Sequence, residues 1–576
     1  MRPPRIDGCR MRPVSRSIRS PNARIEPPLP RQFSQKHPRR LLVSTNLPRP
    51  QLPFLYPSST HIARGQLNRL ISTQNKKFIK ETAKLTAKYT VYIWLFTTLA
   101  TIAGMGILSE RQERAFPSPH EWSLYTRFRF RRAKWWEIPE NNEGLGFPNY
   151  AAVYCEYEVV LNRLEDVSKD GAGVLELEDG FTAPGLGKGL DLTAKSEEWR
   201  QGYYEVLMGM GRAAERMEGW VTTKSRENNW APEFIASPTN PRPKVPPPGM
   251  PLPPDEDQRM PVTEPPEKFY LKVLTSKGFT TYQRMSAAIA YADWLSFKQL
   301  ITSAEEMYRW ALDIAKSGLP TPDFSSTIDP DTAILKSSAP KDTITPNIVY
   351  AATNLATHFA LTGNISAALP IFVSVLRARR SADPAPPSPP EPPKDSSLTG
   401  TLTTLLQEPA YPPLPPSGDE PLLRREEDQC EEAALMNYIG EILFATAVSE
   451  SQRQQGLRWV RDGVSAAKSA QLKEKIQADS ERKVKCQQCE EVGLESWGKI
   501  MTFLTAEAKE KQTKAKSGGI TGLIWKLRVT QQIDERVEEL EQEEEGVTLR
   551  LAKLRDTMLK EYYAEQDMKY AKTFVF

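Results

Sequence analysis

"AAIAYADWLSFKQLITSAEEMYRWALDIAKSG", residues 287–318, and "AATNLATHFALTGNISAALPIFVSVLRARR", residues 351–380, share one pattern of small and large apolar residues at a constant offset of 64 positions. Apolar residues recur every three or four positions in both, which is the period of an amphipathic α-helix. The matching positions are Ala288, Tyr291, Ala292, Leu295, Ala304, Tyr308 and Ala311, and then Ala352, Leu355, Ala356, Phe359, Ala368, Phe372 and Val375. The chain therefore contains an internal helical repeat.

Each stretch predicts two helices packed as a hairpin. Small residues at matched positions let the two helices approach closely, and the large residues between them fill the groove. This is the pattern of tetratricopeptide (TPR) repeats. The residues predicted to pack the repeats are Ala292, Leu295, Ala304, Tyr308, Ala311, Ala356, Phe359, Ala368, Phe372 and, in a third unit, Gly440.

Weaker copies of the pattern occur on both sides. A third unit covers residues 434–470, with four extra residues in its turn, and a degenerate fourth begins with "CQQCEEVGLESWGKIMTFL" at Cys486. Two upstream helical stretches, 149–166 and 196–218, pair as an irregular first unit. No alternating pattern indicates a strand. The predicted fold is all-α: a single N-terminal transmembrane helix followed by a degenerate TPR-like α-solenoid with Pro-rich insertions.

The predicted membrane helix is "YTVYIWLFTTLATIAGMGIL", residues 89–108, which contains no charged side chain. At 1.5 Å per residue it can cross a hydrocarbon core about 30 Å thick. A buried core helix is the alternative, but the charged flanks "KKFIKETAKLTAK" and "SERQER" favour an anchor. A single span argues against a permease, whose pathway needs several helices.

The N-terminal 88 residues carry 19 Lys and Arg against 3 Asp and Glu. This composition, without an early apolar region, is typical of a mitochondrial transit peptide; a disordered basic tail is the alternative. Two stretches resemble processing sites, Arg31–Ser34 and Arg69–Thr73. Five lysines precede the span, so the positive-inside rule keeps that side in the matrix. We therefore expect a single-pass protein of the mitochondrial inner membrane with its C-terminal part in the intermembrane space.

Composition divides the chain further. Residues 232–266 and 384–421 hold 13 prolines each, which predicts extended or polyproline-II segments. The predicted organisation is 1–72 transit peptide, 73–88 basic flank, 89–108 span, 109–231 juxtamembrane and irregular helical region, 232–268 Pro-rich linker, 269–380 TPR-like repeats, 381–428 Pro-rich insertion, 429–528 further repeats and 529–576 long C-terminal helix. Residues 89–576 hold 57 basic and 69 acidic side chains, and this negative balance argues against a nucleic-acid role.

No residue pattern indicates catalysis, a cofactor or a metal. After transit-peptide cleavage only His120 and His358 remain as histidines, and His358 is expected to be an ordinary packed residue. "GLGKGLD" at residues 185–191 departs from a P-loop because Gly189 follows Lys188. Cys486 and Cys489 form CxxC on a helix; we expect core residues, with a redox role as the alternative. A zinc site would need Cys155, Cys430 or His358 as additional ligands.

Two segments leave alternatives open. "RFRFRRAKWWEIPE", residues 127–140, interleaves Arg with aromatics, so it either rests on an anionic membrane surface or packs on the first helices. The C-terminal stretch has a heptad stripe that forms either a helix capping the solenoid or a coiled coil with a partner. The stripe residues are Ile533, Val537, Leu540, Val547, Leu551, Leu554 and Met558, with Glu544 interrupting it.

The order of features, with "AYADWL", "NLATHF" and "NYIGEIL" in the repeats, resembles the fungal TPR adapter subunits of the mitochondrial inner-membrane i-AAA protease supercomplex. The resemblance covers the chain from about residue 70. It implies a non-enzymatic adapter that presents unfolded or extended polypeptide to a membrane-embedded protease complex, with no small-molecule substrate. A TPR-containing assembly factor of respiratory complexes and a thiol oxidoreductase are the other hypotheses.

TPR proteins bind peptides on the face made by the first helix of each hairpin. The positions predicted to line such a peptide groove are Asp293, Thr353, Thr357, Asn437 and Glu441. Their polar or acidic character indicates a ligand with some basic character. The alternative is that these residues are solvated helix faces. The Lys, Asn and Arg residues with which chaperone-docking TPR domains hold a carboxylate are absent from these helices.

Overall fold

The computed structural model describes residues 73–142, 146–177, 189–319, 326–386, 411–425, 428–517 and 523–574. Several predictions lie outside these residues. They are the transit peptide 1–72, the processing sites except for Thr73, most of the 185–191 loop including Lys188, and positions 387–410 of the second Pro-rich segment. The chain divides into two compact units, 1–116 with 225–228, and 117–224 with 229–576.

The first unit contains one long helix, α1 (Thr73–Ala115). Its most apolar window has a mean hydropathy of 1.8, and none of that window is buried. By length and composition α1 can therefore cross a membrane, whereas the alternative of a buried core helix does not fit its exposure. Because α1 extends beyond residues 89–108 on both sides, the charged flanks are part of the same helix.

The second unit is mostly helical. Its helices are α2 (Leu124–Glu137), α3 (Tyr150–Leu164), α4 (Glu197–Arg216), α5 (Pro266–Thr275), α6 (Thr281–Phe297), α7 (Ile301–Ser317), α8 (Pro346–Leu361), α9 (Ile365–Ser381), α10 (Gln429–Ala445), α11 (Glu450–Gln471), α12 (Glu474–Gln477), α13 (Ser480–Ser517) and α14 (Leu523–Phe574). From α2 to α11 each helix packs against the next, and α13 then packs on α11, α10 and α14. The coarse prediction of a helical protein is confirmed.

The sequence sets helix boundaries through local hydrogen bonds. Thr280 with Gln283 at the start of α6, and Ser449 with Gln452 at the start of α11, form capping boxes in which side chain and backbone amide pair reciprocally. Thr345 caps α8, whose first residue is Pro346, a position where proline loses no helical hydrogen bond. These caps determine where α6, α8 and α11 begin.

The described residues also contain seven two-residue strands, which the sequence did not indicate. They are β1 (Leu175–Glu176), β2 (Leu190–Asp191), β3 (Val221–Thr222), β4 (Asn229–Trp230), β5 (Met260–Pro261), β6 (Asp383–Pro384) and β7 (Leu423–Arg424). β1 pairs with β2, and β3 with both β4 and β5, all antiparallel, whereas β6 and β7 are parallel. Strands this short show no alternating pattern, so periodicity could not reveal them.

One hydrophobic core runs continuously from Trp122, before α2, to Ile442 on α10. Beyond it, α11, α13 and α14 share three smaller clusters. Leu540 and Val547 of the C-terminal stripe are buried in these clusters, and Val537 is also buried. The heptad pattern is therefore satisfied within the chain, as the capping-helix alternative expects.

Candidate functional site: a polypeptide-binding surface on the first helices of the hairpins

All the residues predicted to pack the repeats are buried in the structure. Gly440 shows why a small residue is needed at the crossing of α10 and α11. A Cβ at this position would lie 2.6 Å from Val460 Cγ2 and 2.8 Å from the Gly456 carbonyl oxygen. These distances are shorter than van der Waals contact, so only glycine allows the two helices to approach this closely.

The structure separates the five predicted groove residues into two groups. Thr353 and Thr357 are half-buried on α8 and donate to the carbonyls of Val349 and Thr353, at 2.7 and 2.9 Å. Asp293 on α6 is exposed overall, but its carboxylate accepts a hydrogen bond from Tyr308. Desolvation beside Tyr308 raises the pKa of Asp293, although this hydrogen bond and His358 oppose the shift.

The other two residues do not lie on an open surface. Asn437 is 2% exposed and donates to the Cys489 carbonyl oxygen at 3.3 Å, while Glu441 accepts a hydrogen bond from Ser496. Both partners lie on α13, which packs across this face of α10. Asn437 and Glu441 are therefore engaged in contacts between α10 and α13.

Three tyrosines that the repeat alignment missed lie close together on α4, α6 and α8. Tyr282 and Tyr350 are 38% and 45% exposed, and Tyr204 is half-buried. Burial raises the pKa of Tyr204 well above its ordinary value, and the nearby Tyr282 phenol adds to the shift. Burial also raises the pKa of Tyr350, and the nearby Tyr282 and Asp293 side chains add to this increase. We call Tyr204, Tyr282 and Tyr350 the tyrosine surface.

Residues 411–419, "YPPLPPSGD", form a proline-rich strap that is neither helix nor strand and that contacts the start of α8. Tyr411, Leu414 and Ser417 are half-buried, whereas the four prolines between them are exposed. Burial of every third residue is the pattern of a polyproline-II helix with one face against a surface. One side of the strap is therefore partly covered by the body, while its prolines are exposed.

The C-terminal end of the strap is held at the start of α8. The Asn347 backbone amide donates to the Gly418 carbonyl oxygen at 3.3 Å, and its side-chain amide donates to the Ser417 carbonyl oxygen at 2.9 Å and to Asp419 Oδ1 at 3.0 Å. Asn347 is 1% exposed. These hydrogen bonds hold residues 417–419 at Asn347, which lies one helical turn before Tyr350 on α8.

The N-terminal end of the strap lies against α4. Burial raises the pKa of Tyr411, and the Glu205 and Glu198 carboxylates raise it further, so the phenol lies near both. Glu205 accepts from Gln201 at 3.0 Å, and Gln201 accepts from Gln283 of α6 at 2.7 Å. The strap therefore runs from α4, beside the start of α6, to the start of α8.

Cysteines form a second cluster, between α10 and α13. Cys430 and Cys486 are buried and joined by a disulfide across 56 positions of sequence, with Cα atoms 5.2 Å apart. Cys489 is a free thiol one helical turn from Cys486. Burial raises the pKa of this thiol, and the Glu431 carboxylate raises it further. The two cysteines of CxxC therefore have different roles, a core disulfide and a half-buried thiol with little thiolate character.

His358 lies beside groups that could suggest nucleophilic chemistry. Ser296 Oγ is 3.4 Å from His358 Nδ1, and the ring is packed 4.9 Å from that of Tyr308. Burial lowers the pKa of His358, while Glu305 and Asp293 oppose the shift. His358 Nε2 is buried and has no hydrogen-bond partner among the described residues, so no carboxylate orients the imidazole as a triad requires. The described residues also contain no group of three or more potential metal ligands.

The basic-aromatic segment forms α2, and its two sides differ. Phe130 is buried with its ring centroid 5.2 Å from that of Trp122, whereas Phe128 and Trp135 are 45% and 43% exposed. Packing on the first helices therefore accounts for the buried side of α2, whereas the side with Phe128 and Trp135 is exposed.

None of the known protein families, curated proteins or solved structures compared with this chain matches it.

Proposed function

We propose that this protein is a membrane-anchored adapter whose TPR-like solenoid binds extended polypeptide at the tyrosine surface. The hairpins α6–α7, α8–α9 and α10–α11 serve as the TPR-like units, and α13 with α14 closes the array. α1 is the single anchor that keeps the solenoid at the membrane, where effective concentration makes weak peptide binding useful.

The strap carries this proposal. Residues 411–419 are a proline-rich peptide whose C-terminal end is hydrogen-bonded to Asn347 at the start of α8 and whose Tyr411 phenol lies near Glu205 of α4. Aromatic residues that line a groove are a common way to bind polyproline-II segments. A surface that accommodates the chain's own extended peptide is suited to another peptide of this kind.

The Cys430–Cys486 disulfide supports placing the solenoid in an oxidising compartment. Together with the basic N-terminal segment and the lysines before the span, it favours the mitochondrial inner membrane with the C-terminal part in the intermembrane space. In this setting the adapter delivers polypeptides to the i-AAA protease and assembles with it in protein quality control.

Peptide binding is tested with the full-length protein in detergent and a fluorescent "YPPLPPSGD" peptide. Asn347→Ala removes the hydrogen bonds that the Asn347 side chain gives to Ser417 and Asp419, so we expect the peptide to compete better with the loosened strap and to bind more tightly. Adding Tyr350→Ala should abolish this gain. Leu361→Ala, 83% exposed on the same helix, is the matched control. Equal binding by all four proteins would contradict the proposal.

Partner identity is tested by co-purification from mitochondria. Recovery of the i-AAA protease is expected, and recovery of respiratory subunits alone would favour the assembly-factor alternative.

A further inference from the structure

The exposed side of α2 carries large apolar side chains that are 43–78% exposed, and Arg163 of α3 contacts one of them, lying 5.0 Å from the centre of the Tyr125 ring. Its exposed residues are Leu124, Tyr125, Phe128, Arg132 and Trp135, of which Leu124 is 78% exposed. At 100° per residue these five side chains lie within about one third of the helix circumference. Phe130 and Ala133 on the opposite side are buried in the core.

α2 is held firmly in this orientation. The Ser123 amide and hydroxyl donate to Asp170 at 2.7 and 2.9 Å, and Thr126 donates to the same carboxylate at 2.6 Å. Glu156 of α3, which is buried, pairs with Arg129 at 2.7 Å and Arg132 at 3.2 Å. The exposed apolar face is therefore fixed by contacts at the start of the helix and along it.

We propose that this face, defined by Leu124, Tyr125, Phe128 and Trp135 with Arg132, rests in the interface of the membrane that α1 crosses. The inference depends on α1 being the anchor. Interfacial helices bury Trp, Phe and Leu near the headgroups and keep basic residues beside them. Trp and Tyr favour this depth, and Arg reaches the headgroups with its charged end.

Chain connectivity identifies a lipid surface as the occupant. α1 ends at Ala115 and α2 begins at Leu124, so only residues 116–123 lie between them. Eight extended residues span at most about 28 Å, which keeps α2 close to the membrane that α1 crosses. The apolar face therefore meets a bilayer at high effective concentration.

Charge and size agree with this assignment. Arg132 lies on this face with its side chain 46% exposed, although it pairs with Glu156, and its charge favours an anionic leaflet. One face of a 14-residue helix is also small for a stable protein partner, which usually covers about 800 Å² on each side. A protein partner is therefore the less favoured occupant.

The test uses the full-length protein in vesicles of phosphatidylcholine and cardiolipin that contain brominated lipid. The environment-sensitive amino acid Anap replaces one residue at a time: Phe128 or Trp135 on α2, Ile102 in the span, and Leu361, an exposed apolar residue on α8. We expect bromolipid quenching at 128, 135 and 102 and none at 361. Leu124→Glu should reduce quenching at 128 but not at 102, and omitting cardiolipin should also reduce quenching at 128.

Two results would overturn the inference in distinguishable ways. Quenching at 102 without quenching at 128 and 135 leaves the anchor intact and indicates that α2 faces water or a protein partner. Absence of quenching at 102 removes the anchor, and the α2 proposal with it. Because Leu124 is 78% exposed, its replacement is not expected to unfold the body, and unchanged circular dichroism verifies this.

Discussion

Breaking the Cys430–Cys486 disulfide should destabilise α10, α11 and α13 selectively. The bond closes a loop of 56 positions, and a cross-link of this length reduces unfolded-chain entropy by an amount worth about 4 kcal/mol. If the loop opens as one unit, its opening equilibrium rises by up to about a thousandfold on reduction. Buried Ala470 and Ile476 pack beside Cys430 and Cys486, and we expect these apolar contacts to remain when the bond is reduced.

The assay is native-state hydrogen exchange of the detergent-solubilised full-length protein, with and without reductant. Amides of α10, α11 and α13 should exchange much faster after reduction, whereas amides of α6 and α7 serve as an internal reference and should change little. C430S/C486S should reproduce the reduced state. Cys489→Ser, which leaves the disulfide in place, is the matched control. Equal exchange in oxidised and reduced protein would refute the reasoning and would remove the support for an oxidising compartment.

Two further predictions concern packing and pH. Gly440→Val should lower the free energy of unfolding by about 1–3 kcal/mol in urea titrations, because its side chain would overlap Val460 and the Gly456 carbonyl; Gly546→Val, with open space around it, should cost clearly less, and equal losses would contradict the close helix crossing. For Asp170, burial alone would raise the pKa, but hydrogen bonds from Thr126 and Ser123 and the Arg163 charge lower it below 3.8. Its stabilising contribution is therefore fully present above the unfolded pKa and is lost as the pH falls through the folded pKa. Asp170→Asn should lower stability at neutral pH and converge with the wild-type protein in strong acid, as followed by circular dichroism; parallel pH curves would contradict this assignment.

The repeat pattern predicted which helices pair, because small residues at matched positions are a local signal of close helix packing. Ala292, Ala304, Ala356 and Ala368 are all fully buried, as that reading requires. Helix type, hairpin order and the long apolar segment were therefore accessible from the sequence.

The surface chemistry was less accessible because it depends on contacts between distant parts of the chain. Asn437 and Glu441 had the correct helical positions for a groove, but α13 packs over them from more than 50 positions away. The disulfide and the strap are also long-range contacts, with separations of 56 and about 70 residues. A helical repeat pattern records only which face of a helix is apolar, so it does not show which other segment will cover the polar face.

Polypeptide binding at the tyrosine surface is tested most directly by site-specific photocrosslinking in isolated mitochondria. p-Benzoylphenylalanine replaces Tyr350 or, as the control, Leu361, in the Asn347→Ala protein with its loosened strap. An unfolded reporter polypeptide directed to the intermembrane space should crosslink to position 350 and not to position 361, and excess "YPPLPPSGD" peptide should compete. Equal crosslinking at both positions, or none at position 350, would contradict an adapter that binds extended chains at this surface.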